Sequence, residues 1–205
     1  MLEPKQGENM KKILDVPFVS QNSDQVSEMW RDRSCGIANV KMILDFLSDE
    51  TIPIQELIAE GLAIEGYNYS ILGGSWKHEG LVRVLRNHGV LAYSQEFKAV
   101  KVIQEDEVKF EKSSYSKKFI EQGIEKIIEQ LDRGFPAIVS VNEGFNNNKT
   151  SHLVLITGYE MKDNKILNLY YNDPDSRDGV ERKNSLVEID KFKEFWRLFC
   201  IFVDK

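Results

Sequence analysis

Cys35 opens the clearest helical pattern in the chain. Ile37, Val40, Ile43, Leu44 and Leu47 recur behind it at spacings of three and four, and Ser34 stands just before it as a plausible N-cap. A helix N-terminus carries a partial positive charge and free backbone N–H groups. Both favour a thiolate, which is the nucleophilic form of cysteine. A lone cysteine is most often a small buried hydrophobe. Cys200, inside Leu198-Phe199-Cys200-Ile201-Phe202, fits that description, whereas Cys35 lies between the polar run Arg31-Asp32-Arg33-Ser34 and Gly36. Gly36 would let a substrate backbone come close to the helix start.

A thiolate nucleophile needs a proton-transfer partner. His152 follows the polar stretch 142–151 and opens the apolar run Leu153-Val154-Leu155-Ile156, so a strand would hold it rigidly at a cleft. The plainer alternative is a surface or capping histidine. Asp173 closes a later strand in Tyr170-Tyr171-Asn172-Asp173-Pro174. If 153–159 and 166–172 form a hairpin, the start of the first strand lies beside the end of the second. Asp173 then falls near His152, where a carboxylate orients the ring and stabilises its charged form. Alone, an Asp-Pro after a strand is turn initiation, and Asn172 is a second residue able to orient the ring. Gln21 lies 14 positions before Cys35 and offers a side-chain amide which, with the Cys35 backbone N–H, could hold an oxyanion. His88 reads as helix C-terminal punctuation. His78, beside Trp76, is a pocket-lining candidate with no assigned proton transfer.

The elements that must position these residues can be read in outline. Residues 1–12 are polar and read as loose. Leu14 to Val19, with Pro17, reads as an edge or lead-in segment, and 20–33 as a loop. A short helix around Ile54, Leu57 and Ile58 is expected to stop at Gly61, with a loop over 66–76. A further helix holds Leu81, Val82, Val84 and Leu85 and ends at Asn87-His88-Gly89; Val90 to Tyr93 reads as a strand. The charge-rich stretch 94–116 has no assignable pattern. A long amphipathic helix runs through Phe119, Ile120, Ile124, Ile127, Ile128 and Leu131 to Gly134. Strands follow at 137–141, 153–159, 166–171, 186–189 and 198–203, with Asp163-Asn164 as turn chemistry between the second and third. Helices first and antiparallel strands later predict an α+β fold in one domain, residues 13–205.

Composition narrows the function. The chain has 205 residues, 33 acidic against 27 basic, for a formal net charge of -6. That balance argues against a general electrostatic grip on nucleic acid or an anionic membrane. Apolar residues make up 41%, enough for a core. No apolar run approaches the ~18 residues of a membrane-spanning helix. Two cysteines build neither a disulfide framework nor a multi-cysteine metal site. Lys11-Lys12 is followed only by Ile13 and Leu14 before Asp15, so no signal-peptide core is present. Met10 is a second candidate start. A cytoplasmic location is the default expectation, which export from a longer precursor would alter.

Taken in order along the chain, these pieces resemble the papain-like cysteine peptidases, and most closely the C39-like peptidase family. The matching segments are Asp15-Val16-Pro17-Phe18-Val19-Ser20-Gln21, Trp30 through Ser34-Cys35-Gly36, Ser151-His152-Leu153-Val154-Leu155-Ile156-Thr157-Gly158-Tyr159 and Asn172-Asp173-Pro174. Trp76-Lys77-His78-Glu79-Gly80-Leu81 looks like the helix start that follows the central loop in such proteins. The Cys-Gly-Ser-Cys-Trp signature of the papain and cathepsin branch is absent. The resemblance implies a papain-like fold with the nucleophile at a helix start packed on a C-terminal sheet. It implies Cys35 as nucleophile, His152 as general base and acid, Asp173 as the ring-orienting acid and Gln21 as oxyanion donor. Trp30, Gly36, Trp76 and His78 are candidates for the substrate-binding surface. The implied substrate is a peptide or protein, with no metal or cofactor. The same triad would serve an acyltransferase or transglutaminase, and a silent peptide-binding module would keep the fold without turnover.

Overall fold

The computed structural model describes residues 9–48, 51–70, 74–104, 108–113, 115–148 and 150–204. In chain order it runs β1 (Asn9–Ile13), α1 (Glu28–Arg31), α2 (Cys35–Leu47), α3 (Ile54–Ala63), β2 (Tyr67–Asn68), β3 (Ser75–Trp76), α4 (His78–Asn87) and β4 (Leu91–Glu96). A hairpin of β5 (Val100–Gln104) and β6 (Val108–Lys112) follows, then α5 (Ser116–Asp132) and β7 (Ala137–Asn142). A 3-10 turn over Glu143–Phe145 leads to β8 (Ser151–Lys162), β9 (Lys165–Asn172), β10 (Ser185–Glu188), α6 (Ile189–Phe195) and β11 (Trp196–Asp204).

One antiparallel sheet orders the molecule as β10-β9-β8-β7-β11-β4. The long strand β8 gives residues 151–156 to β7 and 158–162 to β1. Because β9 pairs with 155–162 from the other side, β7 and β1 share one edge of β8 in succession.

Alternation along the central strands sorts the core into two halves. Ile138, Leu153, Leu155, Ile201 and Val203 pack with Ile37, Val40, Ile43 and Leu44 of α2 and with the buried residues of α3 and α4. Ala137, Val139, Val141, Val154, Ile156, Cys200 and Phe202 point the other way, onto Ile124, Ile127 and Leu131 of α5 and Phe192 of α6. The fold is α+β, with helices on both faces of the sheet. Strands covered on both faces read as continuous apolar runs, which is why Ala137–Val141 shows no polar alternation beyond Ser140.

Several local readings change. Residues 9–12, expected to be loose, belong to β1, whose side chains at Asn9, Met10 and Lys11 are exposed. An edge strand facing water has no apolar stripe to announce it. Segment 20–33 contains the one-turn α1, and 66–76 contains the short pair β2–β3. Gly61 does not end α3, which continues to Ala63. The missing side chain there makes room for Trp76, whose ring would lie 2.5 Å from an added Cβ. Ser34 occupies the N-cap position of α2 without capping it; its hydroxyl turns back and donates to the Trp30 carbonyl at 2.6 Å. The β8–β9 turn is made by Asp163 and Asn164, both with positive φ (49° and 60°), as a two-residue hairpin turn requires.

Candidate active site

The β8–β9 hairpin delivers its two ends to one place. His152 is the second residue of β8 and Asp173 immediately follows β9. The His152 Nε2 to Asp173 Oδ1 distance is 2.6 Å, and both side chains are nearly buried. The backbone N–H of Asp175 also donates to Asp173 Oδ1, at 3.0 Å. That second donor helps fix the oxygen that faces the ring.

Cys35 arrives from the opposite layer. It is the first residue of α2, which packs against β8, and no acidic side chain in the first turn of α2 offsets the helix dipole. Cys35 is half-buried and near enough to His152 to help hold charge on its ring. Three influences set the charge of His152. Burial favours the neutral ring and is the largest. The hydrogen bond to Asp173 and the proximity of the Cys35 sulfur oppose it and prevail, so the imidazole is pushed up to about 10. The site therefore keeps a protonated histidine between a sulfur and a carboxylate through neutral pH.

Gln21 is buried. Its backbone N–H donates to the Pro174 carbonyl at 2.9 Å, and its Nε2 donates to the Arg31 carbonyl at 2.8 Å. The amide is thus anchored between the residue after Asp173 and the loop leading to Cys35. Among the described residues Nε2 makes this one bond, and Oε1 is buried without a partner. Neighbouring bonds hold this arrangement: Ser20 meets the Ser176 hydroxyl, and the Ser176 N–H donates to Asn22 Oδ1 at 2.9 Å.

The remaining candidates are placed as follows. Trp30 and Trp76 are buried, not open to a substrate. They pack with Tyr67 as an aromatic cluster, with ring centroids 5.0–5.9 Å apart, and Trp76 Nε1 donates to the Arg33 carbonyl at 2.7 Å. Their work is to fix the loop preceding Cys35. Gly36 is also buried, and an added Cβ would meet Leu81 at 3.0 Å and Trp76 at 3.2 Å. Its small size serves the packing of α2 against Leu81 and Trp76. His78 stacks on Phe199 at 3.5 Å, and burial lowers its affinity for a proton. Asn172 does not orient His152: its Oδ1 accepts from the Asn184 N–H at 2.8 Å and its amide faces Met42. His88 sits at the C-terminus of α4, as punctuation should, and meets Glu60 at 2.7 Å. Cys200 is fully buried, which pushes its thiol well up, and both cysteines are free.

Sequence reasoning missed two features. Asn39, one turn into α2 from Cys35, is fully buried and donates to the carbonyls of Cys35 and Leu153; a polar residue on the apolar face of a helix was the available signal. Beyond Asp173, Arg177 binds Asp175 through several hydrogen bonds and reaches Glu143. Burial opposes the charge of Asp175, but these bonds hold its carboxyl below the usual range. Charged residues in an apparent turn carried no signal for it.

Among the described residues no group of three His, Cys, Asp or Glu is placed to hold a metal, and no helix is long and apolar enough to cross a membrane.

A cysteine at a helix start, facing a histidine–aspartate pair on a sheet, defines the class to which the sequence also points. The chain belongs to the Peptidase_C39 like family, whose model matches residues 13–200. Solved structures share the fold at low identity. A proposed C39-like peptidase from Bacillus anthracis is 19% identical with a TM-score of 0.59, over 96% of this chain and 98% of that one. The peptidase domain of Streptococcus ComA, a bifunctional ABC transporter of a quorum-sensing pathway, is 16% identical with a TM-score of 0.52, over 84% and 91%. A double glycine motif protease from an AMS/PCAT transporter, solved with its leader peptide, is 16% identical with a TM-score of 0.51, over 94% and 93%. No curated protein matches the sequence.

Proposed function

We propose that this protein is a cysteine peptidase that cleaves a peptide or amide bond through a thioester, with Cys35, His152 and Asp173 as its triad. The observation that carries this reading is the 2.6 Å His152–Asp173 bond on a ring whose charge Cys35, at the start of α2, also favours. The Cys35 sulfur attacks the substrate carbonyl carbon. The carbonyl oxygen takes up negative charge, and a side-chain N–H of Gln21 and the Cys35 backbone N–H stabilise it. Protonated His152 then gives its proton to the leaving amine, the C–N bond breaks and a thioester remains. His152, now neutral, takes a proton from water. The resulting attack breaks the C–S bond, releasing the acid and restoring the Cys35 thiolate beside protonated His152. Asp173 keeps the ring aimed through both halves. No step calls for a metal or cofactor.

The experiment has two parts. Iodoacetamide at mildly acidic pH should label Cys35 quickly and spare buried Cys200, and His152→Ala should slow that labelling. In a peptide-substrate screen, Cys35→Ala should reduce cleavage to background. Labelling of Cys35 no faster than in His152→Ala, or cleavage that survives Cys35→Ala, sinks the mechanism.

A further inference from the structure

Cys35 and His152 sit in different layers, so their alignment depends on whatever locks α2 to the start of β8. We propose that Asn39 is that lock: a positioning residue that sets the sulfur against the imidazole by joining the two backbones. This rests on the cysteine–histidine reading above.

Asn39 donates from Nδ2 to the carbonyl of Cys35 at 2.7 Å and to the carbonyl of Leu153 at 2.8 Å. One accepting residue is the proposed nucleophile; the other directly follows His152. A planar amide nitrogen holds its two N–H groups at a fixed angle, so two carbonyls bound to it have a fixed mutual position. Leu153 lies beyond the last β8–β9 pair, Leu155 with Asn172. At this end of β8 the amide binds α2 to the strand where the β9 ladder has stopped.

The surroundings show that packing alone does not explain an asparagine here. Ile37, Ala38, Val40, Met42, Ile43 and Leu44 are the other apolar buried positions of α2, and Asn39 among them is 0% exposed. Its Oδ1 is buried with no hydrogen-bond partner. An unpaired buried acceptor is a cost that an apolar side chain of the same shape would remove. What the asparagine supplies in return is its two donors, and both go to the residues that carry or adjoin the reactive pair. Serine would offer one donor, aspartate none and leucine none.

The test compares wild type, Asn39→Leu and His152→Ala by thermal unfolding and by the rate of Cys35 alkylation with iodoacetamide at pH 6 and pH 9.5. Asn39→Leu keeps the branched shape and removes the unpaired oxygen, but it is bulkier and leaves the Leu153 carbonyl without its donor, so it should unfold cooperatively at a temperature below wild type. Its alkylation at pH 6 should fall roughly 10²-fold, the scale on which about an ångström of misplacement is felt. At pH 9.5, where an ordinary thiol of pKa about 8.5 ionises unaided, it should come within about threefold of wild type. Wild-type alkylation by the folded variant at pH 6, or equal slowing at both pH values, overturns the proposal. If Asn39→Leu does not fold, Asn39→Ser replaces it under the same two criteria. A wild type no faster than His152→Ala at pH 6 removes the cysteine–histidine reading itself. A wild type faster than His152→Ala but matched by Asn39→Leu removes only the role of Asn39.

Discussion

His152 is charged near neutrality only because two partners overcome its burial, and that balance is testable at the single residue. Asp173→Asn keeps the shape but removes the negative partner, so burial should win and the ring should lose its proton at lower pH. In a plot of kcat/KM against pH, the wild-type alkaline limb, set by a ring pushed up to about 10, should move towards neutrality in the variant. The rate near neutrality should fall by roughly 10²–10⁴-fold, as expected when general acid–base catalysis is lost. Stability should follow with a definite sign. A histidine whose folded-state affinity for a proton is raised contributes stability that is full below its unfolded value, about 6.5, and is lost as pH rises towards about 10. Unfolding temperatures across that window should therefore fall for wild type and fall less for Asp173→Asn. An unchanged alkaline limb would show that Asp173 does not hold the proton on His152. At this scale much of the geometry was legible, since setting Asp173 beside His152 needs only a hairpin with its turn at Asp163-Asn164. Asn39 and the burial of Gly36 were not, because helical periodicity tells which face is buried and not which atoms meet there.

The helices are held to the loops around the site by close approaches at glycines, and two of these predict unequal losses. At Gly36 an added Cβ meets side chains only, Leu81 at 3.0 Å and Trp76 at 3.2 Å, and alanine gains about 0.8–1 kcal/mol of helix propensity. Gly36→Ala should be mildly destabilising, because the helix gain offsets only part of the crowding against buried Leu81 and the Trp76 Cβ. At Gly80 an added Cβ would stand 2.5 Å from the Gly66 Cα. Backbone cannot rotate away, so α4 must shift off the turn before β2. Overpacking of this kind costs about 1–3 kcal/mol, and Gly80→Ala should be the less stable of the two by at least about 1 kcal/mol in denaturant unfolding. Equal stabilities would mean that the α4 contact yields as easily as a side chain does. Elements with a strong apolar period, α2, α4 and α5, were legible from the sequence. α1 and α6 were not, because seven residues or fewer make at most two helical turns, and β2 and β3 were not, because two residues show no alternation. The hairpin β5–β6 fell in the charge-rich stretch that gave no pattern.

Across the whole molecule, helices before strands foretold the α+β class, but not the order of the sheet. The last strand, β11, inserts between β7 and β4, and the first, β1, completes the edge of β8. Pairings between segments so far apart in sequence are chosen by the packing of both helical layers, which no local pattern records. The placement of β1 separates stability from chemistry. It pairs with residues 158–162, whereas His152 is at the other end of β8. At about 3.3 Å per residue, the β1 pairs begin roughly 20 Å from the ring. Removing residues 1–13 deletes those pairs and the Lys12–Asp132 ion pair while leaving Leu14, whose N–H donates to the Thr157 carbonyl at 2.8 Å. The shortened protein should unfold at lower temperature and self-associate more readily, because an unpaired strand edge is a template for another chain. Its folded fraction should still alkylate Cys35 at the wild-type rate at pH 6. Light scattering, thermal unfolding and the labelling rate measured together decide the matter. A labelling rate that collapses while the protein remains folded would mean that β8 transmits strain along its length to His152, and that the far edge of the sheet belongs to the working parts of the site.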